Sequence, residues 1–296
     1  MRVLATRRFP GEAWNELRNV EVGTPDRHRD DVEVLVVANE RVDEPVLDLF
    51  PALRLVASFG VGFDQIDVGA CRARGIAITN TPGVLDAATA DLTLALILAA
   101  RRRIVEGDGL VRGGRWDMHW ADGPFLGRDL SGATLGIVGL GRIGSAVARR
   151  AKGFDLRVIF HRRTRSDDPG YRELDDLMRE SDIVSLHTPL SPETFGLVSR
   201  ERLALLRDGA TLVNTARGSV IDEEALVEEL VSGRISAGLD VFANEPEVPK
   251  ALIGLPNVVL TPHVASATVE TRAAMTRIVV DNVLALENGE PLKTPL

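Results

Sequence analysis

Four residues able to move protons or hold anions stand just beyond short apolar runs in the second half of the chain. Arg217 lies in Asn214–Thr215–Ala216–Arg217–Gly218, after the run Thr211–Val213. Asp240 closes the run Ser236–Leu239 and leads into Val241–Phe242–Ala243–Asn244–Glu245–Pro246. His263 lies in Thr261–Pro262–His263–Val264, after Val258–Leu260. A histidine titrates near neutral pH and can hand a proton to a carbonyl oxygen. A carboxylate beside it orients the ring and favours its protonated form, and Glu245 is the candidate. Arg217 carries a fixed charge that can grip a carboxylate and polarise a carbonyl. Given a source of hydride, the set suits reduction of a small 2-oxo acid with His263 as proton donor. Asp240 is assigned to the cofactor side rather than to proton transfer.

A hydride source is legible in Gly139–Leu140–Gly141–Arg142–Ile143–Gly144, set between the apolar run Leu135–Val138 and a helical stretch, Ser145–Lys152. In strand–turn–helix context each glycine has a task. Gly139 allows the tight turn, Gly141 lets the backbone approach a pyrophosphate, and Gly144 lets helix and strand pack closely. The helix N-terminus, with Arg142 and Ile143, then offers N–H groups to phosphate. A dinucleotide-binding unit usually ends its second strand in Asp or Glu, which holds the ribose hydroxyls. Here Phe160 is followed by His161–Arg162–Arg163–Thr164–Arg165, and the first acid is Asp167. Arginine attracts a 2′-phosphate that a carboxylate would repel. Arg162, Arg163 and Thr164 therefore predict NADP(H) in preference to NAD(H); the alternative is a solvated loop. Thr188–Pro189 and Thr215–Ala216 are assigned to the same cofactor. His187 reads as a loop or cofactor-edge residue. His28, His119 and His161 have no placement that argues for acid–base work, and no metal is called for.

In a parallel α/β sheet, ligands bind beyond the carboxyl ends of the strands. These residues therefore require such a sheet. Six candidate strands alternate with helical stretches from Thr134 on: Thr134–Val138, Arg157–Phe160, Ile183–Leu186, Thr211–Val213, Ser236–Leu239 and Val258–Leu260. The first third alternates likewise, with strands at Val3–Ala5, Val34–Val37, Leu55–Ala57 and Ile76–Ile78 and helices near 11–19, 44–50 and 67–74. A long apolar helix is expected over Asp86–Arg103, and an irregular segment over 107–132. The last helix, near 268–288, follows the completed second sheet and is expected to return to the first. The fold class is α/β, with two doubly wound parallel-sheet domains and a cleft between them. One comprises 1–92 with 268–296, the other 93–267. In the first, Ser58–Phe59–Gly60–Val61–Gly62 follows a strand. Successive N–H groups around two glycines can form an anion-binding nest, which makes Val61 and Gly62 candidates for a substrate carboxylate. A plain tight turn is the alternative.

The bulk properties fit. A chain of 296 residues suggests two ordinary domains. A net charge of -8 argues against a nucleic-acid partner, which wants a basic surface. The lone Cys71 reads as a buried small hydrophobe and excludes a disulfide framework within the chain. Met1–Thr6 is too short an apolar run for a signal peptide, and Leu92–Ala100 is too short to span a bilayer. A cytoplasmic protein without a membrane partner is expected.

The chain resembles the D-isomer-specific 2-hydroxyacid dehydrogenases. The resemblance rests on Phe59–Asp64, Asn80–Leu85, Gly139–Gly144, Thr215–Gly218, Gly238–Val241 through Pro246, and Thr261–His263. It implies Arg217, Glu245 and His263 as the catalytic set. It also implies flavodoxin-like and Rossmann-like domains, and a homodimer in which residues 107–132, with Trp116, Trp120 or Phe125, form an arm. Within the family the chain is most similar to the glyoxylate/hydroxypyruvate reductases, including the hydroxyphenylpyruvate reductase type. The segments Glu245–Pro249, Thr268–Arg272 and Arg162–Thr164 carry that likeness, which implies NADPH. The chain's end at Leu296 leaves no room for the regulatory domain of many phosphoglycerate dehydrogenases. Two other readings stay open: a dehydrogenase of another acid such as phosphoglycerate, using Arg41, and a corepressor-like dinucleotide-sensing scaffold.

Overall fold

The computed structural model describes residues 1–116 and 125–296. The chain forms two compact units, one of Met1–Leu85 with Ser266–Leu296 and one of Asp86–Ala265.

In the first unit, β1 (Val3–Ala5), β2 (Val20–Val22), β3 (Val34–Val37), α1 (Glu44–Leu47), β4 (Leu55–Ser58), α2 (Val68–Ala73) and β5 (Ala77–Thr79) follow in sequence. The strands are parallel and lie in the order β2-β1-β3-β4-β5, a flavodoxin-like arrangement. β1, β3 and β4 are buried throughout, as their continuous apolar runs require. Asp43 and Asp67 start α1 and α2 by accepting the N–H groups of Val46 and Ala70. The edge strand β2 was not expected. Three residues with Glu21 in the middle give no period to read, and only pairing with β1 makes them a strand.

The second unit contains α3 (Asp86–Arg101), α4 (Ile104–Arg112), β6 (Thr134–Val138), α5 (Arg142–Ala151), β7 (Arg157–His161), α6 (Leu174–Glu180), β8 (Ile183–Leu186), α7 (Arg200–Ala204), β9 (Thr211–Asn214), α8 (Glu223–Val231), β10 (Ser236–Leu239) and β11 (Val258–Leu260). All six strands expected here form. They are parallel, in the order β11-β10-β9-β8-β6-β7. The order reverses between β6 and β8, so the loops leaving these two strands open the crevice in which doubly wound sheets bind ligands.

α3 belongs wholly to this unit, so the division falls at Leu85/Asp86 rather than at 92/93. The reason is close packing on β10. A Cβ on Gly238 would lie 2.8 Å from the Cβ of Leu96, so the bare glycine admits the helix. The helix expected over Asp86–Arg103 stops at Arg101. Arg103 takes left-handed backbone (φ 53°), and α4 sets off from it. Residues 107–112, expected to be irregular, are therefore helical; Gly107 and Gly109 hide the period. The ring of Phe125 lies 3.2 Å from a Cβ placed on Gly107, and the Arg103 guanidinium sits 4.4 Å above it. Trp116 is exposed, and Trp120 lies outside the described residues. The last helix, α9 (Val269–Asn288), belongs to the first unit, and Thr268 caps it.

Candidate active site

The glycine loop has the geometry its sequence requires. Gly139 adopts a φ of 96°, and a Cβ there would lie 2.7 Å from the His187 carbonyl oxygen. A Cβ on Gly144 would lie 2.2 Å from the carbonyl oxygen of Gly139. Gly141 faces open space and caps α5 with no side chain, so the first N–H groups of that helix receive no side-chain cap. The helix begins at Arg142, one turn before the expected Ser145. Nearby, the buried Thr188 hydroxyl has no hydrogen-bond partner among the described residues. A bare helix N-terminus, a glycine open to approach and an unsatisfied hydroxyl together fit a dinucleotide pyrophosphate.

The other residues assigned to the cofactor are spread along the same edge. The Thr215 hydroxyl is buried and lies 3.0 Å from that of Thr93 on α3. The Ala216 N–H donates to the Asn214 side chain (3.0 Å). Pro189 is exposed. Arg162, Arg163 and Thr164 are exposed beyond β7, where Arg162 curls back to donate to the Thr164 carbonyl (3.1 Å). His187 is held by Ser185 at 2.8 Å, and burial pushes its imidazole down to about 4, so the ring is neutral at pH 7.

Arg217, Glu245 and His263 are carried by three loops of this unit. His263 Nδ1 lies 2.7 Å from Glu245 Oε2. The two side chains are 31% and 28% exposed, open enough to meet a small molecule. Glu245 Oε1 accepts the Phe242 N–H (3.1 Å). Burial pushes the Glu245 carboxyl up, but His263, the Phe242 N–H and the charge of Arg217 outweigh it and hold the group below its ordinary range. Glu245 is thus ionised at neutral pH. The Arg217 carbonyl accepts from the buried Asn214 side chain (2.8 Å), which ties the loop to the end of β9. Gly218 brings this loop against the next one: a Cβ there would lie 2.0 Å from the Phe242 carbonyl carbon.

Asp240 has a structural task that its position in sequence did not reveal. It is fully buried, and its carboxylate accepts from the Thr261 hydroxyl (2.6 Å) and from the N–H groups of Val264 and Ala265 (both 2.8 Å). Its carbonyl accepts the His263 N–H (2.8 Å). These bonds hold His263 in left-handed backbone (φ 52°), which costs a non-glycine residue about 1 kcal/mol. Asn214 and Asp240 both act across loops, and single-strand periodicity carries no signal for that.

The loop of the first unit works through its backbone. The Ser58 hydroxyl donates to the Gly62 carbonyl (3.3 Å), the Asn80 amide to that of Val61 (2.9 Å), and the Thr81 N–H to that of Gly60 (2.9 Å). The three carbonyls are thereby tied. The N–H groups of Val61 and Gly62 have no protein acceptor among the described residues, which is the condition of an anion nest. Arg41, the cation that a phosphorylated substrate would call on, is paired with Asp43 at 2.7 Å.

Comparison with known proteins identifies the family. The family model described as the D-isomer specific 2-hydroxyacid dehydrogenase NAD-binding domain matches residues 94–265. The glyoxylate reductase of Pyrococcus furiosus is 46% identical over 293 residues, covering 95% of this chain and 87% of that protein. The glyoxylate reductase of Korarchaeum cryptofilum is 48% identical over 269 residues, covering 88% and 81%. Among solved structures, the NADPH-dependent glyoxylate/hydroxypyruvate reductase of Sinorhizobium meliloti, in complex with NADP and malonate, superposes with a TM-score of 0.89 at 38% identity. That match covers 100% of this chain and 96% of the other. The chain belongs to the D-isomer-specific 2-hydroxyacid dehydrogenase family and is an oxidoreductase that uses a nicotinamide dinucleotide.

Proposed function

We propose that this member of the family reduces a small 2-oxo acid, glyoxylate or hydroxypyruvate, to the D-2-hydroxy acid, with NADPH preferred over NADH. The observation that carries the proposal is the ionised Glu245 bonded to His263 at 2.7 Å, under the influence of Arg217 and in the same unit as the glycine loop. The relatives' names, glyoxylate reductase and glyoxylate/hydroxypyruvate reductase, support the choice of substrates.

The nicotinamide, when bound, supplies the hydride. With Glu245 ionised, His263 keeps a proton on Nδ1, donates it to Oε2 and turns Nε2 to the carbonyl oxygen, to which it hands the second proton. Arg217 holds the substrate and polarises its carbonyl. The N–H groups of Val61 and Gly62 take its carboxylate. Gly139, Gly141, Arg142, Ile143 and Gly144 would hold the pyrophosphate. Arg162, Arg163 and Thr164 would hold a 2′-phosphate, and Thr188, Pro189, Thr215 and Ala216 would line the rest of the cofactor site, with the buried Asp240, first assigned to the cofactor, holding the His263 loop instead. The pairing of Arg41 with Asp43 disfavours a phosphorylated substrate.

The proposal includes a homodimer. α4 leaves Ile104, Val105 and Val111 exposed, and Trp116 and Leu126 are exposed beyond it, an apolar surface that a second copy would cover. It also includes a cytoplasmic location, in keeping with a single buried thiol. Among the described residues, no helix is long and apolar enough to cross a membrane.

The test is steady-state oxidation of NADPH and of NADH with glyoxylate, hydroxypyruvate, pyruvate, phenylpyruvate and 2-ketogluconate. Glyoxylate or hydroxypyruvate with NADPH should give the highest kcat/KM. Turnover of none of them overturns the reaction, and a preference for NADH overturns the reading of Arg162 and Arg163. Light scattering at the mass of one chain would overturn the dimer.

A further inference from the structure

Glu223 opens α8, one turn beyond Arg217, and none of the roles assigned above uses it. The cap of that helix is already supplied by Asp222, whose side chain accepts the Ala225 N–H (3.0 Å). Glu223 instead reaches away from the helix. Its Oε1 accepts the N–H of Ala243 at 2.9 Å. The preceding N–H in the chain, that of Phe242, donates to Oε1 of Glu245. Two successive N–H groups of one short segment are thus taken by two carboxylates, one structural and one in the proton-transfer pair.

The Phe242–Ala243 peptide, whose N–H Glu223 takes, is also the one that touches the arginine loop. A Cβ on Gly218 would lie 2.0 Å from the Phe242 carbonyl carbon and 2.3 Å from the Ala243 nitrogen, so Gly218 packs directly on this peptide. Arg217 is the next residue back. The Phe242–Ala243 peptide therefore supports the Arg217 loop directly, and through the Phe242 Cα it adjoins the peptide whose N–H holds Glu245. A peptide plane turns freely about its flanking bonds unless its polar groups are held. Glu223 holds this one by its Ala243 N–H, while Glu245 holds the Phe242 N–H of the peptide before it.

We infer that Glu223 is a positioning residue for the catalytic set: its carboxylate locks the Phe242–Ala243 peptide, and through it the placement of Arg217 and the Glu245–His263 hydrogen bond. The effect runs through a hydrogen bond at a set reach and not through charge. Gln, which presents an acceptor at the same distance, preserves the lock. Asp, which keeps the charge but is one methylene shorter, does not.

The kinetic arm of the test rests on the proposed reduction; the spectroscopic arm does not. Glu223→Ala and Glu223→Asp should each lower kcat by about ten- to a hundredfold, the scale of a displacement of about an ångström in a catalytic constellation. Their affinity for NADPH should be unchanged. Glu223→Gln should restore kcat relative to both. The downfield imidazole N–H resonance of His263, identified by its loss in His263→Ala, reports the bond to Glu245. It should weaken in the Ala and Asp variants and persist in Gln. Thermal unfolding checks that each variant folds; Gln and Asp keep a polar residue in the first turn of α8, so the comparison survives if Ala does not fold. The inference is overturned if Glu223→Ala keeps both kcat and the resonance, or if Asp behaves as wild type while Gln fails. If the wild-type protein reduces no 2-oxo acid, the proposed reaction falls, yet the resonance still decides the role of Glu223.

Discussion

The carboxyl edges of the two sheets are furnished in opposite ways. Beyond the second sheet stand charged side chains: Arg217, Glu245 and His263, with the glycine loop beside them. Beyond the first stands a loop whose carbonyls are tied by Ser58, Asn80 and Thr81 and whose Val61 and Gly62 N–H groups have no protein acceptor among the described residues. A charged side chain can exchange protons and respond to pH. A main-chain N–H can only donate a hydrogen bond, but it does so from a position fixed by its neighbours. The proposed function accordingly assigns chemistry to the second edge and anion recognition to the first. Substitutions in the set Arg217, Glu245 and His263 should act on kcat, and those at the first edge on KM for the 2-oxo acid.

The largest effect should come from His263→Ala, which removes the proposed proton donor and leaves the glycine loop untouched. The expected loss in kcat is about a hundred- to ten-thousandfold, the usual worth of general acid catalysis, with NADPH affinity retained by fluorescence titration. A turnover close to wild type would remove His263 from the mechanism and erase the contrast.

Next in size is the cofactor phosphate. Replacing Arg162 and Arg163 together by Ser should raise KM for NADPH by about ten- to a hundredfold, since a charge-assisted hydrogen bond is worth about 1.5–3 kcal/mol. KM for NADH should hardly move. Equal losses with both cofactors would mean that the two arginines do not read the 2′-phosphate.

Asn80→Ala tests the first edge. It removes the amide that ties the Val61 carbonyl, at a cost of about 1 kcal/mol, so KM for the 2-oxo acid should rise severalfold while kcat changes less. A fall in kcat with KM unchanged would assign the first edge to chemistry and break the comparison.

The smallest effect concerns stability. His187 is held at about 4 in the folded protein against 6.5 for the free side chain. The unfolded chain binds that proton more readily, so the contribution is whole above pH 6.5 and is lost as pH falls toward 4, by at most about 1.4 kcal/mol per pH unit. Urea unfolding of His187→Gln across this range should show a shallower loss than wild type. An identical pH slope would show that His187 is not held neutral by burial.

Much of this was legible in the chain itself, for identifiable reasons. A strand buried on both faces reads as a near-continuous apolar run, so β1, β3, β4, β6, β8 and β9 were visible, and β7, β10 and β11 were visible through the apolar residues they bury. Gly139 and Gly144 stand where any side chain would collide and Gly141 where a ligand needs room, and all three lie within six consecutive residues, so the loop was legible as well. β2 escaped because its strand character comes only from its neighbour β1. α4 escaped because two glycines blur its period and because the break before it depends on one residue, Arg103, turning to positive φ.

The sequence alone determined which residue types stand at the carboxyl ends of the strands, since strand ends and turn residues are written in consecutive positions. From that came Arg217, Glu245, His263, the glycine loop and the basic segment after β7. Only the tertiary structure decided how they are held. That Asp240 spends its carboxylate on the loop of His263, that Gly218 lies against Phe242, and that Glu223 reaches Ala243 are facts about loops brought together from different strands. No periodic pattern along the chain encodes such meetings. They arise when the parallel register of β9, β10 and β11 lines up the ends of those strands, and so they become visible only once the sheet is formed.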